Sequence, residues 1–410
     1  MATLAEHPST LASGAPPDGG WAAWMSVLAG FLAIMNTWGL VISFGVFQTY
    51  HVTNLHRPPS DISWIGSIAV FLLFFGGVVS GRLTDAGYFR STISTGAFLI
   101  VLGTFMTSLS ETYWQLVLAQ GVCIGVGNGL LLTPVSAVIS TYFSTKLPLV
   151  MGIAACGSVT GGLIYPSMAR TLLGSVGFGW TMRAIGFIQL DTLAVAVAVI
   201  TPRLAPKWTG ALLDLSAFKE PEFVLNAIGS FLAFLGVFVP FFYLSSYARS
   251  VQGMEYTESL DLLLVLNGVG FVGRLLPGFV ARYVGTLNVF LTSLLLSALA
   301  MYAWIAVHST PGLYAWTSFY SIFVGGVQSL LPAAISVLNP DLQKLGSRMG
   351  MIFAAVGIGA LIGSPIAGIL ISERGGSYVG AQAFSGSSLV VGALLIFAAQ
   401  EVGRRRKKAV

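Results

Sequence analysis

The stretch DISWIGSIAVFLLFFGGVVSG, residues 61–81, decides the fold class. Between Ser67 and Ser80 it holds no polar side chain. A bilayer core about 30 Å thick needs roughly 20 apolar residues of helix at ~1.5 Å per residue, so this run is long enough to cross one. Working outward, comparable runs lie near 21–48, 91–109, 113–139, 149–169, 181–201, 222–247, 259–281, 287–307, 312–338, 349–372 and 380–400, which with 61–81 makes twelve. Membrane β-strands would be about ten residues long with alternating polarity, and these runs are neither. Helices alone satisfy their own backbone polar groups in lipid. The expected fold is an all-α membrane protein with twelve transmembrane helices.

Composition agrees. The chain has 410 residues, 55% hydrophobic and 9% charged, against about 25% charged in soluble domains. A net charge of +5 does not imply nucleic acid, because the basic residues are scattered over short gaps apart from Arg404 to Lys408. Cys123 and Cys156 lie inside apolar runs and form neither a disulfide framework nor a zinc-ligand spacing. Residues 1–20 contain no Lys, Arg or apolar core, so they are not a secretory signal. No Gly-Lys-Ser/Thr phosphate loop occurs, which removes the usual nucleotide-driven pump. Gly125, Gly127 and Gly129 lie mid-span, without the strand–turn–helix setting of a dinucleotide fingerprint.

Cytoplasmic loops hold excess Lys and Arg. With the N-terminus inside, fourteen basic residues fall in inner segments and only Arg57, Arg170, Arg249 and Arg374 in outer ones, while Arg183 and Arg274 fall within spans. Both termini are therefore expected in the cytoplasm. The expected organisation is a cytoplasmic tail at 1–20, a six-helix half at 21–201, a cytoplasmic linker at 202–221, a second half at 222–400 and a basic tail at 401–410. The plasma membrane is the expected location, with a vacuolar or other organelle membrane as the alternative.

A faint repeat joins the halves. Gly81 and Gly278 differ by 197 positions, and Pro134 and Pro332, like Met151-Gly152 and Met349-Gly350, by 198. Parallel repeats of six helices are one arrangement of secondary transporters, with the solute site between halves near the midplane. Glycines four apart, such as Gly121, Gly125 and Gly129, Gly157 and Gly161, or Gly359 and Gly363, let helices approach closely. They serve either static packing or rocking of the halves.

Three motifs carry a resemblance. Gly81-Arg82-Leu83-Thr84-Asp85-Ala86-Gly87-Tyr88-Phe89-Arg90 is similar to the first inner loop of the major facilitator superfamily, with Ala86 where an Arg usually follows the Asp. Pro16-Pro17-Asp18-Gly19-Gly20-Trp21-Ala22-Ala23-Trp24 resembles the entry signature of the monocarboxylate transporter-like family, in its fungal form. Tyr142-Phe143-Ser144-Thr145-Lys146-Leu147-Pro148-Leu149-Val150-Met151-Gly152 looks like that family's signature into helix five. A stretch from Leu215 to Tyr247 again looks like fungal members, so the resemblance covers about residues 16 to 400. It implies alternating access, with Asp85, Arg82 and Arg90 as gating residues.

Charges inside hydrocarbon are costly and usually functional. Arg183 sits in an outer turn and can reach the headgroups. Asp191 is the candidate for proton coupling. Asn267, Gly270 and Arg274, spaced i, i+3, i+7, share a helix face. By resemblance Arg274 occupies the position of the Arg that receives the substrate carboxylate, whereas the family's Asp four residues earlier is Gly270. A helix-one Lys tied to proton-coupled lactate transport is replaced near Ile42 and Ser43. Asn36, Trp38, Asn128, Tyr165, Tyr243, Ser246, Asn267 and Gln328 lie on helices that line the cavity in this fold, and join Arg274 as candidate substrate-binding residues.

The expected function is secondary active transport of a small organic anion or amphipathic metabolite, with a proton as candidate co-substrate and the bilayer as the other partner. The alternative is a non-transporting sensor on the same fold. No catalytic, metal or cofactor site is expected: His7, His51, His56 and His308 read as tail or loop residues, and no nucleophile constellation is present.

Overall fold

The computed structural model describes residues 17–143, 146–203, 215–338 and 345–409. Twelve helices among them are long and apolar enough to cross a membrane. The first six are α1 (Trp21–Leu55), α2 (Pro59–Leu83), α3 (Ala86–Thr107), α4 (Tyr113–Tyr142), α5 (Val150–Leu172) and α6 (Gly177–Val199). The second six are α7 (Pro221–Ser250), α8 (Tyr256–Ala281), α9 (Thr286–Trp304), α10 (Thr310–Leu338), α11 (Arg348–Glu373) and α12 (Val379–Arg406). The described residues contain no strand. The protein is an integral, multi-pass, all-helical membrane protein. Most of the linker expected at 202–221 lies at 204–214, outside the described residues.

Local chemistry sets the breaks. Thr37 and Ser43 interrupt α1, and each donates its hydroxyl to the carbonyl four residues back, Ala33 at 2.9 Å and Gly39 at 2.7 Å. Such back-bonding bends helices. The helix therefore runs on to Leu55, seven residues past the expected boundary at 48. In α7 the break falls at Phe238, two residues before Pro240, which lacks an N–H to continue the ladder. Pro134 and Pro332 both sit inside helices, at equivalent places in α4 and α10. The basic tail expected at 401–410 is instead a helical extension of α12 to Ala409. Its cations suit a helix C-terminus, and Arg406 pairs with Glu222 of α7 at 2.6 Å.

The packing repeats itself. Helix α1 packs on α5 and α6, and α3 and α4 pair with α6 and α2; six helices later α7 packs on α11 and α12, and α9 and α10 pair with α12 and α8. Between the two sets, α2 meets α11, α5 meets α8, and the later part of α1 meets the later part of α7.

The glycine rows lie inside each half rather than between halves. A Cβ at Gly157 or Gly161 would strike the backbone of Phe31 or Met35 on α1, and one at Gly359 or Gly363 that of Phe231 or Leu235 on α7. Gly125 and Gly129 face Ala69, Leu72 and Gly76 on α2. These pairs lock helices within a half, which is the static-packing reading.

At the end of the bundle away from the termini, hereafter the far end, the two sets are joined. Arg170 of α5 pairs with Asp261 of α8 at 3.0 Å. Thr49 Oγ1 lies 3.3 Å from Ser246 Oγ. Tyr243 donates its hydroxyl to the carbonyls of Ser364 at 3.0 Å and Pro59 at 3.3 Å. The structure is a state with its far end shut.

Candidate substrate site

An aromatic cluster fills the middle of the seam. Trp38 of α1 stacks on Phe238 of α7, centroids 6.2 Å apart, and meets the edge of Phe74 of α2 at 5.5 Å. Phe74 in turn touches Phe234 of α7 and Phe353 of α11. Rings from both halves therefore converge where α1 and α7 break. Of these, the sequence reading had only Trp38. The missed signal was the run Phe231, Phe234, Phe238, Phe241, Phe242, whose spacing keeps aromatic rings on one side of α7.

Buried polar groups in folded proteins are nearly always hydrogen-bonded, so the satisfied and the orphaned ones can be sorted. Four of the expected residues form a closed set or a clasp. Asn36 accepts from the Tyr165 hydroxyl at 2.7 Å and donates to Thr192 at 2.9 Å, tying α1, α5 and α6 together. Tyr243 and Ser246 belong to the far-end closure. Their hydrogen bonds are spent on the fold.

The other group keeps open valences. Neither amide atom of Asn128 has a partner among the described residues, although the side chain is fully buried. Asn267 donates to the Gly162 carbonyl of α5 at 3.0 Å, and its Oδ1 is unpaired. Gln328 of α10 accepts from Arg274 at 3.0 Å, and its Nε2 is unpaired. Arg274 is half-buried on α8 and has no carboxylate partner among the described residues. Its guanidinium folds back over Gly270: a Cβ there would lie 2.7 Å from Nη1 and 3.1 Å from Ser321 Oγ. The missing side chain at 270 is thus what makes room for the cation.

The remaining candidates are placed elsewhere. Arg82 is partly exposed at the end of α2, and the side chain of Asp85 lies outside the described residues. Exposed Arg90 donates to the Val197 carbonyl of α6 at 2.6 Å. Asp191 is exposed on the outside of α6, away from the seam between halves, so the enclosure that motivated a proton role is absent. Arg183 reaches Ser108 at 3.4 Å and lies over the Trp180 ring. His51 corrects the sequence reading: it is no loop residue but lies in α1 and is 2% exposed. The neighbouring Gln48 and Thr49 are polar, which made 48 look like the end of the span; they are buried against other helices instead.

Comparison with known proteins agrees with this architecture. The sequence profile of the Major Facilitator Superfamily matches residues 26–288. The chain is 49% identical to an MFS-type transporter of Gibberella zeae over 94% of its length and 88% of that protein. It is 38% identical to an MFS-type transporter of Emericella nidulans, covering 93% and 87% of the two chains. It is also 36% identical to an aspyridones efflux protein of Emericella nidulans, covering 97% and 81%.

Proposed function

The chain belongs to the Major Facilitator Superfamily, a family of transporters and not of enzymes, and on that footing we propose that it exports an amphipathic organic acid by alternating access. The observation that carries the substrate class is Arg274, a cation in a span with no acidic partner among the described residues and an unpaired amide beside it. A guanidinium matches a carboxylate with two parallel hydrogen bonds. The aromatic cluster around Trp38 supplies an apolar surface for the rest of the solute. Asn128 and Asn267 offer further donors and acceptors. The monocarboxylate-like assignment draws its support from the Asp18–Trp21 and Tyr142–Gly152 motifs, and the export direction from the efflux name of one relative. The non-transporting sensor has no support among these relatives. Arg82, Asp85 and Arg90 remain the proposed gate at the terminal end, with both termini cytoplasmic and the plasma membrane as host.

The test is uptake into vesicles carrying the purified protein, with and without an imposed pH gradient. The panel runs from lactate to larger aromatic carboxylic acids, each beside its amide. Larger aromatic acids should move fastest and amides slowest. Equal rates for acids and amides throughout would overturn the substrate class.

A further inference from the structure

One buried ionisable group is used by nothing described so far. His51 sits in the far-end part of α1, and its Nε2 lies 3.3 Å from Oε1 of Gln120 on α4. Gln120 is itself 4% exposed, and it belongs to a π-helical segment, Val117–Cys123. Such bulges interrupt the regular ladder and occur frequently at functional sites. A small, mainly apolar cavity beside Leu40, Phe44 and Gly66 has Gln120 and Asn128 in its lining. Both amide atoms of Asn128 and both of Gln48, one turn before His51 on α1, are buried without partners among the described residues. A buried histidine, a bulge that presents its partner, and one orphaned amide in the cavity beside that partner set polar groups in a row from His51 through Gln120 to Asn128, a track inside the first half.

We propose that His51 is the proton-binding site of the transport cycle, filled from the far side when that end opens and emptied through the Gln120–Asn128 track. With Nε2–H donated to Gln120, the Nδ1 lone pair takes a proton from hydronium at the open far end, the N–H bond forming as the O–H bond breaks and water is left; in the return step the imidazolium gives one N–H proton to water on the other face and the ring is neutral again. A charge enclosed without a counter-charge is costly. Among the described residues no carboxylate touches the ring. The ionisable groups nearest it are Tyr50, 5.8 Å away between rings; Arg57, Asp61 and Tyr113, which bond to one another; and Arg249 with Tyr256, which stack together; farther along the same elements α8 carries Glu258 and Asp261, the latter paired with Arg170, and α6 carries Arg183, which lies over Trp180. On α6 the facing group is the apolar Phe178. The closed far end therefore favours the neutral ring, and protonation favours opening. This assignment rests on the transport reading and moves the proton role from Asp191 to His51.

The experiment uses protons alone as the ligand. Nitroxide labels at Thr53→Cys and Val251→Cys, in a chain with Cys123 and Cys156 replaced by serine, report the separation of α1 and α7 at the far end. Between pH 8 and pH 4 the labels should move apart, with a midpoint below the ordinary histidine value of about 6.5, because the closed end resists the charge. In His51→Gln and in His51→Asn the separation should not respond to pH, and in Asp191→Asn it should respond as in the parent. An unchanged response in both His51 variants, or no response in the parent, would overturn the proposal. Downhill uptake of a panel acid by those variants is scored separately, so the transport reading can survive the loss of this one.

Discussion

Arg274→Gln should lower transport of a carboxylate solute by roughly tenfold to a hundredfold while changing that of its amide little. Hydrogen bonds to a charged group contribute about 1.5–3 kcal/mol, and each ~1.4 kcal/mol is a factor of ten. Glutamine keeps a donor and fills part of the space, so the lost quantity is chiefly charge and the second fork of the guanidinium. Arg274→Lys keeps the charge without the fork and should fall between the two. The contact with Gln328 belongs to the second half alone, so the variant has no reason to misfold through loss of an inter-half contact. Arginine and lysine in a span each cost about 2.5–3.5 kcal/mol on insertion scales, so Arg274→Gln should be at least as well expressed as the parent and Arg274→Lys about equally. Equal discrimination between acid and amide in parent and Arg274→Gln would return the arginine to an interhelical role.

A disulfide across the far end should abolish transport altogether. Thr49 Oγ1 and Ser246 Oγ lie 3.3 Å apart on opposite halves, close enough for two cysteines to bridge with modest adjustment. In a background without Cys123 and Cys156, Thr49→Cys with Ser246→Cys should transport when reduced, stop when oxidised, and recover on adding reductant. Either cysteine alone should be indifferent to oxidant. The reasoning is that alternating access requires this end to open in every cycle, and a covalent clasp allows no opening. Full flux through the cross-linked protein would remove the rocking mechanism.

The two predictions separate what could be read in the chain from what could not. Span number and type follow from length and apolarity, which is why 61–81 alone decides the class and the other runs agree with the observed helices. Arg274 could be chosen because a charge in hydrocarbon stands out from its neighbours. Hydrogen-bond satisfaction could not be read, since it depends on which helix faces which. Asn36 and Asn128 look alike as buried asparagines, yet one is fully bonded to Tyr165 and Thr192 and the other has no partner among the described residues. Asp191 stood out for a related reason: its position along a span is visible in a sequence, but the direction a residue faces requires the neighbours, and these leave it exposed. His51 failed in the opposite sense. Polar residues at the end of an apolar run resemble a loop, and only their burial in the fold, with the His51 contact to Gln120, shows them to be interior. The fungal-type motifs pointed to the superfamily that the comparisons found, while their finer subfamily is a matter for substrate measurements.

Transport by alternating access is tested most directly by counterflow. Vesicles carrying the protein are loaded with an unlabelled aromatic acid that the uptake panel has identified, and a trace of the same acid, labelled, is added outside. The label should accumulate transiently above its equilibrium level and then decay, as a carrier that returns loaded requires, and the overshoot should vanish in the oxidised Thr49→Cys, Ser246→Cys protein. Saturable binding of that acid with no overshoot in the unmodified protein would contradict the account and mark the chain as a binder that does not carry its ligand across.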